Sequence, residues 1–558
     1  MNGFPWLTVV TFAPLAGGVL MLAVPRQARN VLRWWALMVS LAVFVLSLGM
    51  LARFHTGDAG YQLVEDASWI PSLGVNYVMG VDGISLFMVV LTAFLTPIAV
   101  LVSWNVEREP RAYFFAFLLL ETATIGAFLA LNLLLFFFFF EGLLFPMYLI
   151  VGGWGGRRRA YAAVKFFIYT MAGSAFLLLG ILFLYFLAGS ALGHSTFDIR
   201  QLAAMPISTA TARWLFLAFL AAFAVKIPLV PVHTWLPDAY AEAPVAGTLL
   251  LASVLAKVGA YGLIRFNLGL FPQAALYFRD LMLVLAVIAI VYGAIVAIAQ
   301  TDAKRLIAYS SVSHLGFVVL GIFALTLQSV SGGVLYMLNH GLSTGALFLL
   351  VGFLAERIGT RDIRRMGGLA ARVPVLAGVL LFFGLASIGL PGLNNFVSEF
   401  LVILGTFVTT KPYAVVAVSA LVFSAIYFLW AYQRMMQGPP VIAGASEDEP
   451  SDEAVGAAAE SPVFAREEHR GPLWDLTARE YVIVVPLIAA ILFLGLYPKP
   501  VLSRINPSAA RVTSCVAAGE LQGHGNRVLL RRSLCRGTDA FARGQGWTGY
   551  IPLSGAGG

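Results

Sequence analysis

Residues 222–245 read AFAVKIPLVPVHTWLPDAYAEAPV. An apolar helical run delivers a lysine, Lys226, directly to Pro228 and Pro231. Each proline lacks an amide donor and clashes with the preceding turn, so the helix must break beside the lysine. In an apolar bilayer, broken backbone is tolerated only where it lines a cavity inside the protein. The stretch therefore predicts a polytopic helical bundle with a polar interior. Lys226 would be placed at the break, where it meets water and a carboxylate rather than lipid.

The composition fits that frame. Hydrophobic residues make up 60% of the chain and charged residues 11%, against roughly 25% charged in soluble domains, and mean hydropathy is +0.86. The net charge of +8 does not indicate nucleic acid, because the arginines cluster in short loops between apolar runs, as the positive-inside bias requires. The two cysteines, Cys515 and Cys535, both fall near the C-terminus. That leaves the body without a thiolate cluster or disulfide framework. No nucleotide-binding loop, dinucleotide fingerprint or HExxH zinc motif is present.

Apolar runs of about 20 residues, the length of a membrane crossing, fall at 4–24, 31–52, 79–103, 113–131, 132–151, 164–188, 213–234, 245–266, 276–300, 306–327, 332–356, 374–409, 413–433 and 480–497. The expected fold is an all-α polytopic membrane protein of about fourteen transmembrane helices, with spans 7 and 12 broken. The long span 12 contains the interrupting sequence GLPGLNNFVSEF, 389–400. Matching breaks suggest two five-helix repeats, spans 4–8 and 9–13. An odd number of helices per repeat makes the repeats inverted. The chain divides into an N-terminal region 1–112, repeats 113–266 and 267–433, an acidic loop 434–479, a last span 480–498, and a tail 499–558 expected to be disordered. Arg26, Arg108, Arg157, Lys304 and Arg357 fall in alternate loops. This places those loops in the cytoplasm and both termini on the periplasmic side.

Only six lysines occur, and Lys165, Lys226 and Lys257 sit in apolar stretches. An ammonium at mid-membrane costs about 2.5–3.5 kcal/mol on the lenient insertion scale, so each needs a reason. Glu141 lies inside LNLLLFFFFFEGLLFPMY, and its charge can set the proton affinity of Lys226. Lys257 lies too deep to reach either interface and can receive a proton from Lys226 through water. His314 (SSVSHLGF) and His340 (YMLNHGLSTG) titrate near neutrality when unperturbed, which suits a relay. Glu399, at the second break, is the candidate exit. Lys165 follows three arginines and is a weaker candidate. His233 lies beyond the first break with Asp238 and Glu242, where a structural or proton-intake role fits better than catalysis. No ligand set for a metal is spaced correctly.

The stretches FFFFFEGLLFPMYLIVGGWGG, AAVKFFIYT, AVKIPLVPVHTWLPDAYAEAPV, LLASVLAKVGAYGLIR, AQTDAKRLIAYSSVSHLGF, YMLNHGLSTGALFLLVG and LPGLNNFVSEF together resemble the antiporter-like membrane subunits of respiratory complex I, the NADH–quinone oxidoreductase. Within that family the L and N classes carry lysine at the second break and the M class glutamate, so Glu399 marks the resemblance as one to the M class. The resemblance implies that Glu141 and Lys226 form a modulating pair, Lys257 links, His314 and His340 relay, and Glu399 is the terminal proton carrier. It also implies that this chain holds no cofactor, and that NADH, FMN, iron–sulfur clusters and quinone belong to other subunits. The implied neighbours are L-like and N-like subunits in a bacterial cytoplasmic membrane, with no nucleic acid. Multisubunit sodium/proton antiporters and membrane-bound hydrogenases resemble the chain less closely. A non-pumping scaffold is the alternative of a different class.

Overall fold

The structure, a computed structural model, describes residues 4–438 and 473–520. Most of the acidic loop and the tail beyond residue 520 lie outside the described residues. Among the described residues, twelve helices are long and apolar enough to cross a membrane. Counted by length, that falls short of fourteen at two places. Trp6–Met21 has 16 residues, and span 12 is split into Pro374–Ser387 and Asn394–Thr409.

The junction between the expected spans 113–131 and 132–151 is made by one side chain. The helix Pro110–Leu129 ends, and the Asn132 carboxamide accepts from the amides of Leu134 and Leu135 at 3.0 and 3.1 Å. This caps the next span, Leu133–Trp154, as an N-cap asparagine does. The Leu131 amide donates to Val78, tying the turn to an element the hydropathy pattern concealed. Strands Gln62–Ile70 and Val75–Val81 form an antiparallel hairpin, so the expected span 79–103 starts late, at Leu86.

The two breaks lie where the prolines and glycines put them. Helix Thr209–Lys226 stops at the lysine and helical structure resumes at Trp235–Glu242. Span 12 breaks between Ser387 and Asn394, with Gly389 and Gly392 at φ +77° and +92°, a region open to glycine at no steric cost. The two broken helices run in opposite directions. The first finishes among the arginine-rich loops, where Asp238 meets Arg305 at 2.6 Å. The second finishes at the hairpin end, where the Thr409 hydroxyl donates to Ala324 at 3.3 Å.

The expectation of a disordered tail fails for its first part. Lys499–Glu520 is a helix, with Val501, Ile505, Ala509, Val512 and Val516 buried. That spacing of three to four residues is one face of a helix; among the flanking arginines it was too faint to read. The helix is held by a buried ion cluster. Asp82 accepts from Arg265 at 2.8 Å and from Arg511 at 3.1 Å, and Arg265 also donates to Tyr61 and Tyr261. Burial alone would raise the Asp82 carboxyl, but Arg265 and then Arg511 outweigh it and hold the group below the usual carboxylate range.

A depressed native pKa contributes stability above the unfolded value, about 3.9, and that stability is lost as pH falls through the native value. Docking of Lys499–Glu520 should therefore persist from neutrality down to roughly pH 4 and loosen only in stronger acid. Asp82→Asn should destabilise the fold by about 3–5 kcal/mol, since it leaves two arginines buried without their counter-charge. A lower melting midpoint and faster tryptic cleavage after Arg504 and Arg511 would show it.

Candidate functional site: a buried relay between two broken helices

Helix Val245–Leu268 carries Lys257, which is fully buried. Two π-helical stretches, Leu251–Leu255 and Leu263–Leu268, flank its turn, an irregularity frequent at functional positions. The Lys257 ammonium folds back to donate to the Ala252 carbonyl and meets His340 Nδ1 at 2.7 Å. His340 lies on the long helix Leu327–Ile358, one turn after Tyr336, and its ring centre is 5.5 Å from that of His314. His314 Nδ1 meets the Tyr336 hydroxyl at 2.6 Å, and that hydroxyl donates to Glu399 Oε1 at 2.7 Å. The other His314 nitrogen faces Tyr427 at 3.2 Å and Ser387 at 3.4 Å.

Four of the sequence candidates thus fall on one line from Lys257 to Glu399. Sequence reading missed Tyr336, the hydroxyl that joins His314 to Glu399, and Tyr427 behind it. The signal for Tyr336 was its position four residues before His340, on the same helical face. Gly389 shapes the far end, because a β-carbon there would collide with Glu399 Oε2.

The first half is assembled differently from expectation. Lys226 is 2% exposed, with its ammonium 4.2 Å from the centre of the Phe140 ring and 3.5 Å from the Phe140 carbonyl. Glu141 is next in sequence to Phe140, but it is not within ion-pair distance of Lys226, and its Oε1 is buried without a hydrogen-bond partner. The pair forms no salt bridge, and the ammonium rests over the Phe140 ring instead. The Lys226 β-carbon packs where a β-carbon on Gly259 would sit, two residues from Lys257, so the two lysine helices touch.

Lys165 lies at the arginine-rich end, near the start of helix Arg159–Leu192. It pairs with Asp238 at 2.7 Å, and the same acid takes Arg305 at 2.6 Å. His233 is buried beside Tyr292 and Tyr309, edge to face with both rings. Glu242 accepts from the Arg158 amide at 2.9 Å and lies 3.5 Å from Arg361. Lys304, counted in sequence only as a loop cation, is buried, with its ammonium 2.9 Å from the Ala243 carbonyl.

Residues 130–424 match the profile of the family described as NADH:quinone oxidoreductase/Mrp antiporter, transmembrane. The chain belongs to that family. Subunit M of the NADH-quinone oxidoreductase of Rhodobacter capsulatus is 42% identical, over 91% of this chain and 96% of its own length. Chain 4 of the NADH-ubiquinone oxidoreductase of Marchantia polymorpha is 39% identical, over 91% and 96%. A chain of respiratory complex I from Thermus thermophilus superposes with a TM-score of 0.78 at 31% identity, covering 91% of this chain and 99% of that one. A chain of the Mrp complex from Dietzia reaches 0.76 at 22% identity, covering 91% and 97%, which is a likeness of fold.

Tyr336→Phe keeps the ring and removes the joining hydroxyl. It should lower coupled proton transfer by roughly tenfold or more, the scale of a lost acid–base group, measured as proton uptake per turnover in vesicles. Gly389→Ala should do the same by displacing Glu399, and should also weaken the fold by about 1–2 kcal/mol, the left-handed penalty.

Proposed function

We propose that this chain is a membrane-arm subunit of a proton-translocating NADH–quinone oxidoreductase, conducting protons through Lys257, His340, His314, Tyr336 and Glu399, with Lys226 and Glu141 governing the loading of Lys257. It would lie in a bacterial inner membrane with both termini periplasmic, beside L-like and N-like subunits. NADH, FMN, the iron–sulfur clusters and quinone would be held elsewhere in the complex. The observation that carries the reading is the run of ionisable and hydroxyl side chains from Lys257 to Glu399, in hydrogen-bond contact at every step except that between the two imidazoles.

Each step keeps its proton count. The Lys257 ammonium donates to His340 Nδ1 across 2.7 Å, leaving neutral lysine and imidazolium. The proton then crosses to His314 through the space between the rings, a span that one water or a ring rotation closes. Imidazolium His314 donates from Nδ1 to the Tyr336 oxygen while Tyr336 passes its own proton to Glu399. The phenol ends as it began and Glu399 ends neutral. Release from Glu399 and reprotonation of Lys257 reset the line. Moving the charge as a proton through groups already in place avoids carrying an ion through an apolar interior.

NADH-driven proton uptake and NADH–quinone turnover, measured together in vesicles holding the assembled complex, test this. Lys226→Ala and Lys257→Met should each depress both activities. Wild-type turnover with wild-type uptake in these variants would leave the scaffold reading. A wild-type chain that assembles with no NADH-oxidising arm yet exchanges sodium for protons would instead be an antiporter subunit.

A further inference from the structure

Glu121 stands in the apolar run FAFLLLETATIGAFL, 115–129, and is 0% exposed. Both carboxyl oxygens lack a hydrogen-bond partner. The Thr96 hydroxyl lies beside them, but it donates instead to the Thr92 carbonyl at 2.9 Å. A buried acid left this way has no structural bond to make, and an ionisable residue at such depth marks a functional position.

Its surroundings say which function. Two residues on, Ala123 faces Gly142 on the Glu141 helix, where an added β-carbon would lie 3.5 Å away. A two-residue step turns about 200° around a helix, so Glu121 points away from Glu141. Phe128, seven residues on and therefore on the Glu121 face, packs edge to face on Tyr261, 5.4 Å between centres, and Tyr261 is one turn beyond Lys257. The two helices run in the same direction from the arginine-rich end. Glu121 is about 10 Å below Phe128, and the Ala252 carbonyl that holds the Lys257 ammonium is about 13 Å below Tyr261, at 1.5 Å per residue. Carboxyl and ammonium thus lie at nearly one depth on neighbouring helices. Helix Leu86–Asn105, which supplies Thr96 beside Glu121, has no charged residue. On the Lys257 helix, Arg265 is already committed to Asp82.

We propose that Glu121 is a further proton-carrying residue of the path, taking protons from the arginine-rich end and passing them to Lys257 through water beside Thr96. This rests on the proton-conduction reading above. It gives Lys257 a second supply, independent of Lys226 and Glu141.

The test uses the complete complex with assembly checked. The variants are Glu121→Gln, Glu121→Leu and Glu121→Asp, alongside Lys257→Met as reference. Glu121→Gln and Glu121→Leu should assemble and lose proton uptake per NADH oxidised by roughly tenfold. Glu121→Asp should restore uptake with a displaced pH profile. Wild-type uptake and an unmoved pH profile in Glu121→Gln would overturn the proposal. So would failure of both Glu121→Gln and Glu121→Leu to assemble, since that marks a structural carboxyl. If Lys257→Met itself pumps normally, the parent reading fails; if Lys257→Met is dead and Glu121→Gln is normal, only this inference fails.

Discussion

Lys257 meets a carbonyl and an imidazole where a buried cation would ordinarily meet a carboxylate. The arrangement of the second half follows from that single constraint. A fully buried ammonium without a counter-charge is expensive, and the cheapest relief is to share its proton with a base. His340 is that base, and it shares its helix with Tyr336, four residues earlier. One continuous helix, Leu327–Ile358, therefore fixes the two members on either side of His314 at a spacing that packing cannot easily change. Helix Ala303–Ala324 supplies His314, and the second broken helix brings Glu399 to Tyr336.

The ends of the bundle obey the opposite rule. Asp238 holds Lys165 and Arg305, Arg361 lies between Glu242 and Asp302, Arg357 meets Glu480 at 2.6 Å, and Asp82 joins two arginines. Charges matched in this way clamp helices and loops together. In the middle, Lys226 faces a ring and a carbonyl, Glu141 and Glu121 keep buried oxygens without partners, and His340 Nε2 has none. Ion pairs dominate the frame of this molecule, and buried ionisable groups without a counter-charge gather in its middle.

This division explains what the sequence could disclose. Lysine and glutamate inside apolar runs are conspicuous, so Lys226, Lys257, Glu141 and Glu399 were visible one by one. The prolines near Lys226 and the glycines near Glu399 showed where the helices break. Pairing was not visible. That Lys165 is clamped by Asp238 while Glu141 leaves Lys226 unpaired depends on rotamers and helix rotation, which hydropathy does not encode. Tyr336 escaped because tyrosine is an ordinary apolar-helix residue until a histidine and a glutamate are known to flank its hydroxyl. The hairpin at 62–81 and the helix Lys499–Glu520 escaped for a related reason. Both lie largely outside the apolar runs, and their short buried faces become legible only once Asp82 and Arg511 are seen to meet.

A proton wire conducts no faster than its longest gap allows, and here the gaps are unequal. Neighbours in the line lie 2.6–2.7 Å apart except at one place, where the ring centres of His340 and His314 are 5.5 Å apart. A line without such a gap would join the two sides of the membrane permanently and dissipate any gradient, so a pump requires an interruption that can be opened and closed. The gap ends at a member with one partner on a broken helix. The second nitrogen of His314 faces Ser387, the last residue before the span 12 break, and the same break carries Gly389 against Glu399. Any movement of that short non-helical segment changes both the orientation of His314 and the position of the terminal carboxyl. The broken backbone therefore does more than admit Glu399 to an apolar interior: it gives the one long step in the wire and its final acceptor a common mechanical origin.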